Sequence, residues 1–300
     1  MPENKKVFFI INKYSGTGYQ PEVEGKIITH CGKHNMECTI EFTQGRGHAT
    51  ELAKQAIRDK FELVLAMGGD GTVNEVAQGL VHSNVTMAIM PNGSGNGLAR
   101  HLGIPLKFPA MLELLNSTQH IAMDTMLVNN HLSVNVSGIG FDGHVAGLFG
   151  KNGKRGLIGY SKLVIQEFFK FKEFSTTLIL DGQSINRDAF IIALANSSQF
   201  GNNAKVSPFA SVCDQRIDVC FIKKVPLTQA LSFARKMFTG SINKSSFVEI
   251  IQAQEILIHY PRPMPFHIDG ESMDSANDFS IKIQPGSLKM LVPAHVKGKL

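Results

Sequence analysis

Gly68-Gly69-Asp70-Gly71-Thr72-Val73-Asn74-Glu75 stands between a strand-like run, Phe61–Met67, and a helical pattern, Val73–His82. Consecutive glycines let a backbone approach a phosphate closely and turn its N–H groups inward. A helix that follows adds the positive end of its dipole. Asp70 has the wrong sign for a phosphate cradle unless a cation accompanies the ligand, which points to Mg²⁺. Glycines after a strand also make plain tight turns. Eight residues with an acid and a threonine among them exceed what a turn needs.

The surrounding chain repeats the pattern. Val7–Ile11 reads as a buried strand, Glu22–His34 as a helix, Glu37–Thr43 as a strand, His48–Lys60 as a helix and Thr86–Met90 as a strand. Strands separated by helices predict a parallel α/β sheet, with ligands at the carboxyl ends of its strands. Two more loops fall at such ends: Asn12-Lys13-Tyr14-Ser15-Gly16-Thr17-Gly18, and Pro91-Asn92-Gly93-Ser94-Gly95-Asn96-Gly97-Leu98-Ala99-Arg100. Three such loops together call for a polyphosphate ligand.

From about Ile121 the texture becomes strand-rich: Met126–Val128, Leu132–Val136, Thr176–Leu180, Ala189–Ala195, Ile217–Ile222, Glu255–Tyr260 and Ile281–Ile283. Helical interruptions lie at Leu157–Phe171 and Leu227–Thr239. This predicts a mostly antiparallel second domain, a β-sandwich or split barrel. The expected domains are 1–120 (α/β, nucleotide-binding) and 121–287 (β-rich). There is no internal repeat or low-complexity tract.

The chain has 300 residues, 43% hydrophobic and 18% charged, as an ordinary globular protein does. No apolar run reaches the ~18 residues needed to span a bilayer, and Val7–Ile11 is too short for a signal peptide. A cytoplasmic enzyme is expected. The net charge of +5 suits anionic lipid, an anionic substrate or nucleic acid. No nucleic-acid-binding signature accompanies it, so nucleic acid is not expected as a partner. Cys31, Cys38, Cys213 and Cys220 lack CxxC spacing and read as reduced buried thiols. Histidines 48, 101, 144 and 267 show no zinc spacing. The basic residues Lys151, Lys154, Arg155 and Lys162, with Lys170 and Lys172 beyond Phe168, Phe169 and Phe171, read as a solvated helix face or as a dock for anionic lipid.

GGDGTVNE, with NKYSGTG before it and PNGSGNGLAR after it, resembles the diacylglycerol kinase catalytic-domain family, which includes bacterial lipid kinases and sphingosine kinases. The likeness runs nearly the full chain: Thr43 with His48-Ala49, Asp124, the Asn135…Gly138-x-Gly140-Phe141-Asp142 stretch, Asn196 and Asp269-Gly270-Glu271 match later motifs. The resemblance implies an NAD-kinase-like two-domain fold with ATP in the cleft between domains, residues 288–300 returning to complete the first. It implies that Asn12, Lys13, Tyr14, Ser15, Gly16, Thr43, Gly68, Gly69, Asp70, Gly71, Thr72, Val73, Asn74, Glu75, Gly93, Ser94 and Asn96 serve the nucleotide. Asp70 would help hold catalytic Mg²⁺, with Asp124 behind it. Glu271, with Asp269 beside it, would take the proton of a lipid hydroxyl. On an extended segment both acids would face one cleft. Asp214, with carbonyls of Ser211 and Arg216, matches a structural Mg²⁺ site. The implied partners are ATP, a lipid substrate and, transiently, the inner face of the membrane; a homodimer stays open.

The sequence departs from the family pattern twice. Gln215-Arg216 stands where a glycine commonly follows the acid, and a surface turn without metal is the alternative there. Gly97 replaces the Asp usual in bacterial diacylglycerol kinases, giving Ser-Gly-Asn-Gly-Leu-Ala, closer to the sphingosine kinase form. Diacylglycerol or a related lipid is the expected acceptor, with a sphingoid base as the alternative. An NAD kinase shares Gly-Gly-Asp-Gly-Thr but carries its Asn-Glu in a later segment, whereas Asn74-Glu75 follows directly here. A non-catalytic nucleotide-binding regulator has no need of Glu271.

Overall fold

A computed structural model describes residues 5–16, 20–151, 164 and 166–296. Thr17 and Gly18 of the first loop, the basic residues 152–163 and the end 297–300 lie outside these. The chain divides into two compact units, Met1–Asp124 with Pro285–Leu300, and Thr125–Gln284.

The first unit is a parallel sheet with helices between its strands: β1 (Lys5–Ile11), α1 (Glu22–Lys33), β2 (Met36–Phe42), α2 (His48–Arg58), β3 (Leu63–Gly68), α3 (Asp70–Leu80), β4 (Thr86–Pro91), α4 (Gly97–His101) and α5 (Phe108–Leu114). The strand order is β2-β1-β3-β4. Val7–Ile11 and Leu63–Gly68 are buried throughout, because strands covered on both faces need continuous apolar runs. Helices α2 and α3 press together at Gly79, where a Cβ would come 2.7 Å from the Thr50 carbonyl oxygen. Beyond β4 the returning chain adds a parallel partner, Met290 opposite Met87. Since β1, β3 and β4 are neighbours, their three carboxyl-end loops are neighbours too.

The second unit contains the rest of the strands: β5 (His120–Val128, entered from the first unit), β6 (His131–Ser133), β7 (Val136–Gly140), then α6 (Phe141–Lys151), β8 (Phe174–Leu180), β9 (Gln183–Ala189), β10 (Ile191–Ala195), β11 (Gln199–Gly201), β12 (Ala204–Lys205) and β13 (Ile217–Ile222). After these come α7 (Leu227–Thr239), β14 (Val248–Ala253), β15 (Glu255–Met264), β16 (Phe266–Ile268), β17 (Glu271–Ser272) and β18 (Ala276–Leu291, belonging to the first unit from Pro285 on). One antiparallel sheet runs β14-β13-β10-β7-β16-β17, and β15 pairs with β8 and β18 in another. Ile139, Ile192, Val219 and Phe221 of the first meet Leu178, Ile256, Phe279 and Ile281 of the second in one core. The α/β plus antiparallel sandwich class expected from the sequence is what the chain forms.

Two expected strands are corrected. Ala189–Ala195 is broken at Phe190, between β9 and β10. Leu132–Val136 is also two strands, broken at Val134 and Asn135. The second break has a clear cause. The buried Asp269 carboxylate accepts N–H bonds from Val134 (2.8 Å) and Asn135 (3.0 Å) and the Ser133 hydroxyl (2.6 Å), so a side chain takes the place of a sheet ladder. The Asn135 carbonyl receives the Asn196 N–H at 2.9 Å, and the Asn196 amide donates to the Val134 carbonyl. Cys31 and Cys220 are buried as expected, and burial foremost pushes the Cys31 thiol up to about 12. Cys213 is exposed and Cys38 only half-buried, against the expectation of four buried thiols.

Asp269→Ala leaves two buried N–H groups without their acceptor, at a cost of about 3 kcal/mol or more. The expected result is a clear fall in the urea midpoint of unfolding; an unchanged midpoint would show that water replaces the carboxylate.

Candidate active site

The three glycine-rich loops converge. Gly69 and Gly93 lie so close that a Cβ on Gly93 would stand 2.6 Å from the Gly69 Cα. A Cβ on Gly16, at φ 60°, would overlap the Asn92 carbonyl oxygen. Side chains stitch the loops together. Asn12 Nδ2 donates to Thr72 Oγ1 (3.0 Å) while its Oδ1 accepts the Tyr14 N–H (2.9 Å). The Asn92 amide donates to the Ser15 carbonyl and hydroxyl, and the Ser15 hydroxyl donates to the Asn12 carbonyl. Asn96, left-handed at φ 50°, exchanges two hydrogen bonds with the main chain of Gly93. Ser94 is exposed at the surface of these loops, as are Lys13 and Tyr14.

Asp70 opens α3 and reaches the other loop. Its Oδ2 accepts the Asn96 N–H at 2.9 Å and its Oδ1 accepts the Gly97 N–H at 2.8 Å. A carboxylate is a hard oxygen donor, the kind of ligand that suits a hard divalent cation such as Mg²⁺. The tie to position 97 runs through the main chain, so glycine there retains it.

Within Gly68–Glu75 the side chains divide by environment. Val73 is buried, and its N–H is spent on the Gly69 carbonyl. Asn74 is buried and accepts from Gln78 Nε2 at 2.6 Å. Glu75 turns to the start of α2, accepting the Gly47 N–H (2.8 Å) and the Ala49 N–H (3.2 Å). A carboxylate there complements the helix dipole. Thr43 holds the Ile11 carbonyl through its N–H, and His48 Nδ1 accepts the Gln44 N–H. Lys13 lies over the Phe42 ring, 3.6 Å from its centroid, and Tyr14 is exposed.

The late acids are also rearranged. Asp269-Gly270 is no extended segment: φ values of 48° and 90° make it the two-residue turn of a hairpin, with Ile268 opposite Glu271. Asp269 therefore points inward to its three donors, and Glu271 is exposed on β17. Two residues that sequence reading did not connect brace this turn. Buried His267 accepts the Gly270 N–H on Nδ1 (3.1 Å), which leaves Nε2–H to donate to Asp142 Oδ2 (3.2 Å). Asp142 was legible as a motif residue, while its partner gave no spacing signal. Asp124 is buried in the first unit and accepts the Gly286 N–H at 2.7 Å, fastening the returning chain. Sequence reading also passed over His30 and His34, one turn apart. With Glu113 their ligand atoms lie within 4.8 Å of one another, although nothing in the loop chemistry draws on them.

At the expected structural Mg²⁺ turn, Asp214 Oδ1 accepts the Arg216 N–H at 3.0 Å and the Ser211 hydroxyl accepts the Cys213 N–H at 3.2 Å. This is a self-closing turn of the Asx kind. Gln215 is left-handed at φ 61°, the conformation that a glycine adopts without strain. Gln215→Gly is expected to stabilise the protein by about 1 kcal/mol, read as a raised Tm; a lowered Tm would show that the Gln215 side chain contributes more than the strain it bears.

This arrangement, glycine-rich loops on a parallel sheet followed by an antiparallel sandwich, defines a two-domain kinase class. The diacylglycerol kinase catalytic domain model matches residues 6–128, and the YegS C-terminal NAD kinase beta sandwich-like domain model matches 110–292. The chain belongs to this lipid kinase family. It is 24% identical over 273 residues to the diacylglycerol kinase of Bacillus subtilis (strain 168), covering 89% of this chain and 90% of that one. It is 26% identical to a protein named "Probable lipid kinase YegS-like" from Pectobacterium atrosepticum, covering 98% of each. In fold it matches a crystal structure of a diacylglycerol kinase from Bacillus anthracis str. Sterne, with TM-score 0.76, 22% identity and coverage of 97% and 98%.

Proposed function

We propose that the protein transfers the γ-phosphoryl group of Mg·ATP to a lipid hydroxyl, with diacylglycerol or a related lipid as acceptor. The observation that carries this reading is the Gly69–Gly93 approach with Asp70 beside it: a patch of main chain into which any Cβ would intrude. Backbone N–H groups of Gly69–Thr72, at the start of α3, orient the phosphates, and Ser94 offers a hydroxyl. Asn12, Ser15, Gly16, Thr43 and Asn96 shape the loops that receive the nucleotide. Asp70 would help hold Mg²⁺ with its carboxylate, and the ion would neutralise charge on the phosphates when bound. Glu271 accepts the proton of the attacking hydroxyl. Asp269 and His267 position the hairpin that presents Glu271, while Asp124 acts through the returning chain.

The relatives named as diacylglycerol and lipid kinases support a lipid acceptor, and the enzyme then works as a peripheral protein at the inner membrane face. The Ser94-Gly95-Asn96-Gly97-Leu98-Ala99 segment favours a sphingoid base as the second acceptor to try. Among the described residues no helix is long and apolar enough to cross a membrane.

The test is transfer of label from [γ-³²P]ATP with Mg²⁺ into a panel of lipids in mixed micelles, with NAD as a soluble control. Label in one lipid class is expected; label in NAD alone would replace the lipid reading with a soluble-acceptor kinase. Glu271→Gln is expected to lower kcat about 100-fold or more with ATP affinity unchanged. A loss confined to ATP binding would remove Glu271 from proton transfer. Asp70→Asn sets an amide N–H against one of two main-chain donors, so transfer should vanish and stability fall by about 1–3 kcal/mol; wild-type turnover would remove Asp70 from the metal site.

A further inference from the structure

Helix α7 turns Phe233 inward against the sandwich, onto the cluster of Val136, Ala193, Ala195, Cys220 and Ile222. It has no buried residue of its own. Three of its other apolar side chains face water: Leu227 is 60% exposed, Leu231 84% and Phe238 57%. At spacings of four and seven residues they share one stripe of the helix. Large apolar side chains gathered on one exposed stripe mark a surface that something covers.

The charge around the stripe indicates what covers it. From residue 223 to 247 the chain carries Lys223, Lys224, Arg235, Lys236 and Lys244 and no acid. The remaining polar residues of the helix, Thr228, Gln229, Ser232 and Thr239, are neutral. Lys224 is engaged with the Phe171 carbonyl, and Lys236 reaches the Lys244 carbonyl, whereas Arg235 and Lys244 are exposed. An apolar stripe beside cations, with no carboxylate to repel a headgroup, matches an interfacial helix on an anionic bilayer. A second copy of the chain fits less well, because a self-complementary contact would bring like charges together.

We propose that helix α7 is the membrane-contact element of this protein, lying in the plane of an anionic lipid surface. Leu227, Leu231 and Phe238 enter the acyl boundary while Arg235 and Lys244 meet phosphate headgroups. The inference deepens the lipid-kinase reading by naming the surface through which the enzyme meets a bilayer-embedded substrate.

The experiment is sedimentation of the full chain with phosphatidylglycerol-containing vesicles and with pure phosphatidylcholine vesicles, without nucleotide. The wild type is expected to prefer the anionic vesicles and to release in high salt. Leu227→Ser with Leu231→Ser, both at exposed positions, should weaken binding about tenfold or more. Arg235→Gln with Lys244→Gln should weaken anionic-vesicle binding about tenfold and flatten the salt dependence. Unchanged Tm and ATP affinity in both variants show that they fold. Wild-type vesicle binding by the leucine pair would overturn the proposal. So would equal affinity for both vesicle types, or a leucine pair that turns a dimer into a monomer while still binding vesicles. Because the assay reads no turnover, its failure is separate from failure to label a lipid.

Discussion

The Asp70 carboxylate, gripping the N–H groups of Asn96 and Gly97, is the interaction on which the candidate site rests. Two charge-assisted bonds from one side chain bind the start of α3 to a loop from another strand. That bond fixes Asn96 in its left-handed turn, and Asn96 in turn shapes Gly93 against Gly69. The sheet order brings the loops to neighbouring strand ends, but sheet order alone leaves loops free to splay. An acid facing two main-chain donors removes that freedom. The same carboxylate brings negative charge to a place built from N–H groups, which is why a cation and a phosphate suit the site together.

The second unit uses the same device for another purpose. Asp269 collects two main-chain N–H groups and a hydroxyl, and so ends β6 and starts β7. It is therefore engaged in holding the turn, whereas the neighbouring Glu271 is exposed on β17. His267 and Asp142 complete the support from the other side of the hairpin. Division of labour between adjacent acids follows from hairpin geometry: a two-residue turn sends residues 269 and 271 to different environments, whereas a strand would have sent them to one face.

The parallel half was legible because buried strands and amphipathic helices write distinct periods, and the expected strand Thr86–Met90 falls within β4. The three loops were legible because glycine clusters are rare without a reason. Helix α6 was missed: Gly143, Gly147 and Gly150 lower helix propensity. The structure needs the first of them, since a Cβ on Gly143 would lie 2.5 Å from the Phe266 Cα. The hydrogen bonds of Glu75 were not legible because its partner, the start of α2, lies 26 to 28 residues earlier in the chain. A motif shows that such a residue matters without showing which way it points. The Asp-Gly dipeptide was a hairpin signal in its own right, and reading the segment as extended passed over it.

Gly97 and Gln215 depart from the family pattern at positions where the main chain does the structural part. At Gly97 an N–H reaches Asp70, and any residue but proline supplies that group. At Gln215 a left-handed turn is held by the Asp214 carboxylate, and glutamine bears strain there without opening it. Folds defined by main-chain contacts tolerate such exchanges, which accounts for a shared architecture at 22% identity. Gly97 thus leaves the scaffold as it is. In the second unit the Glu271 hairpin belongs to one antiparallel sheet, and helix α7 packs Phe233 against the core of that sheet, so main-chain pairing carries the architecture there too.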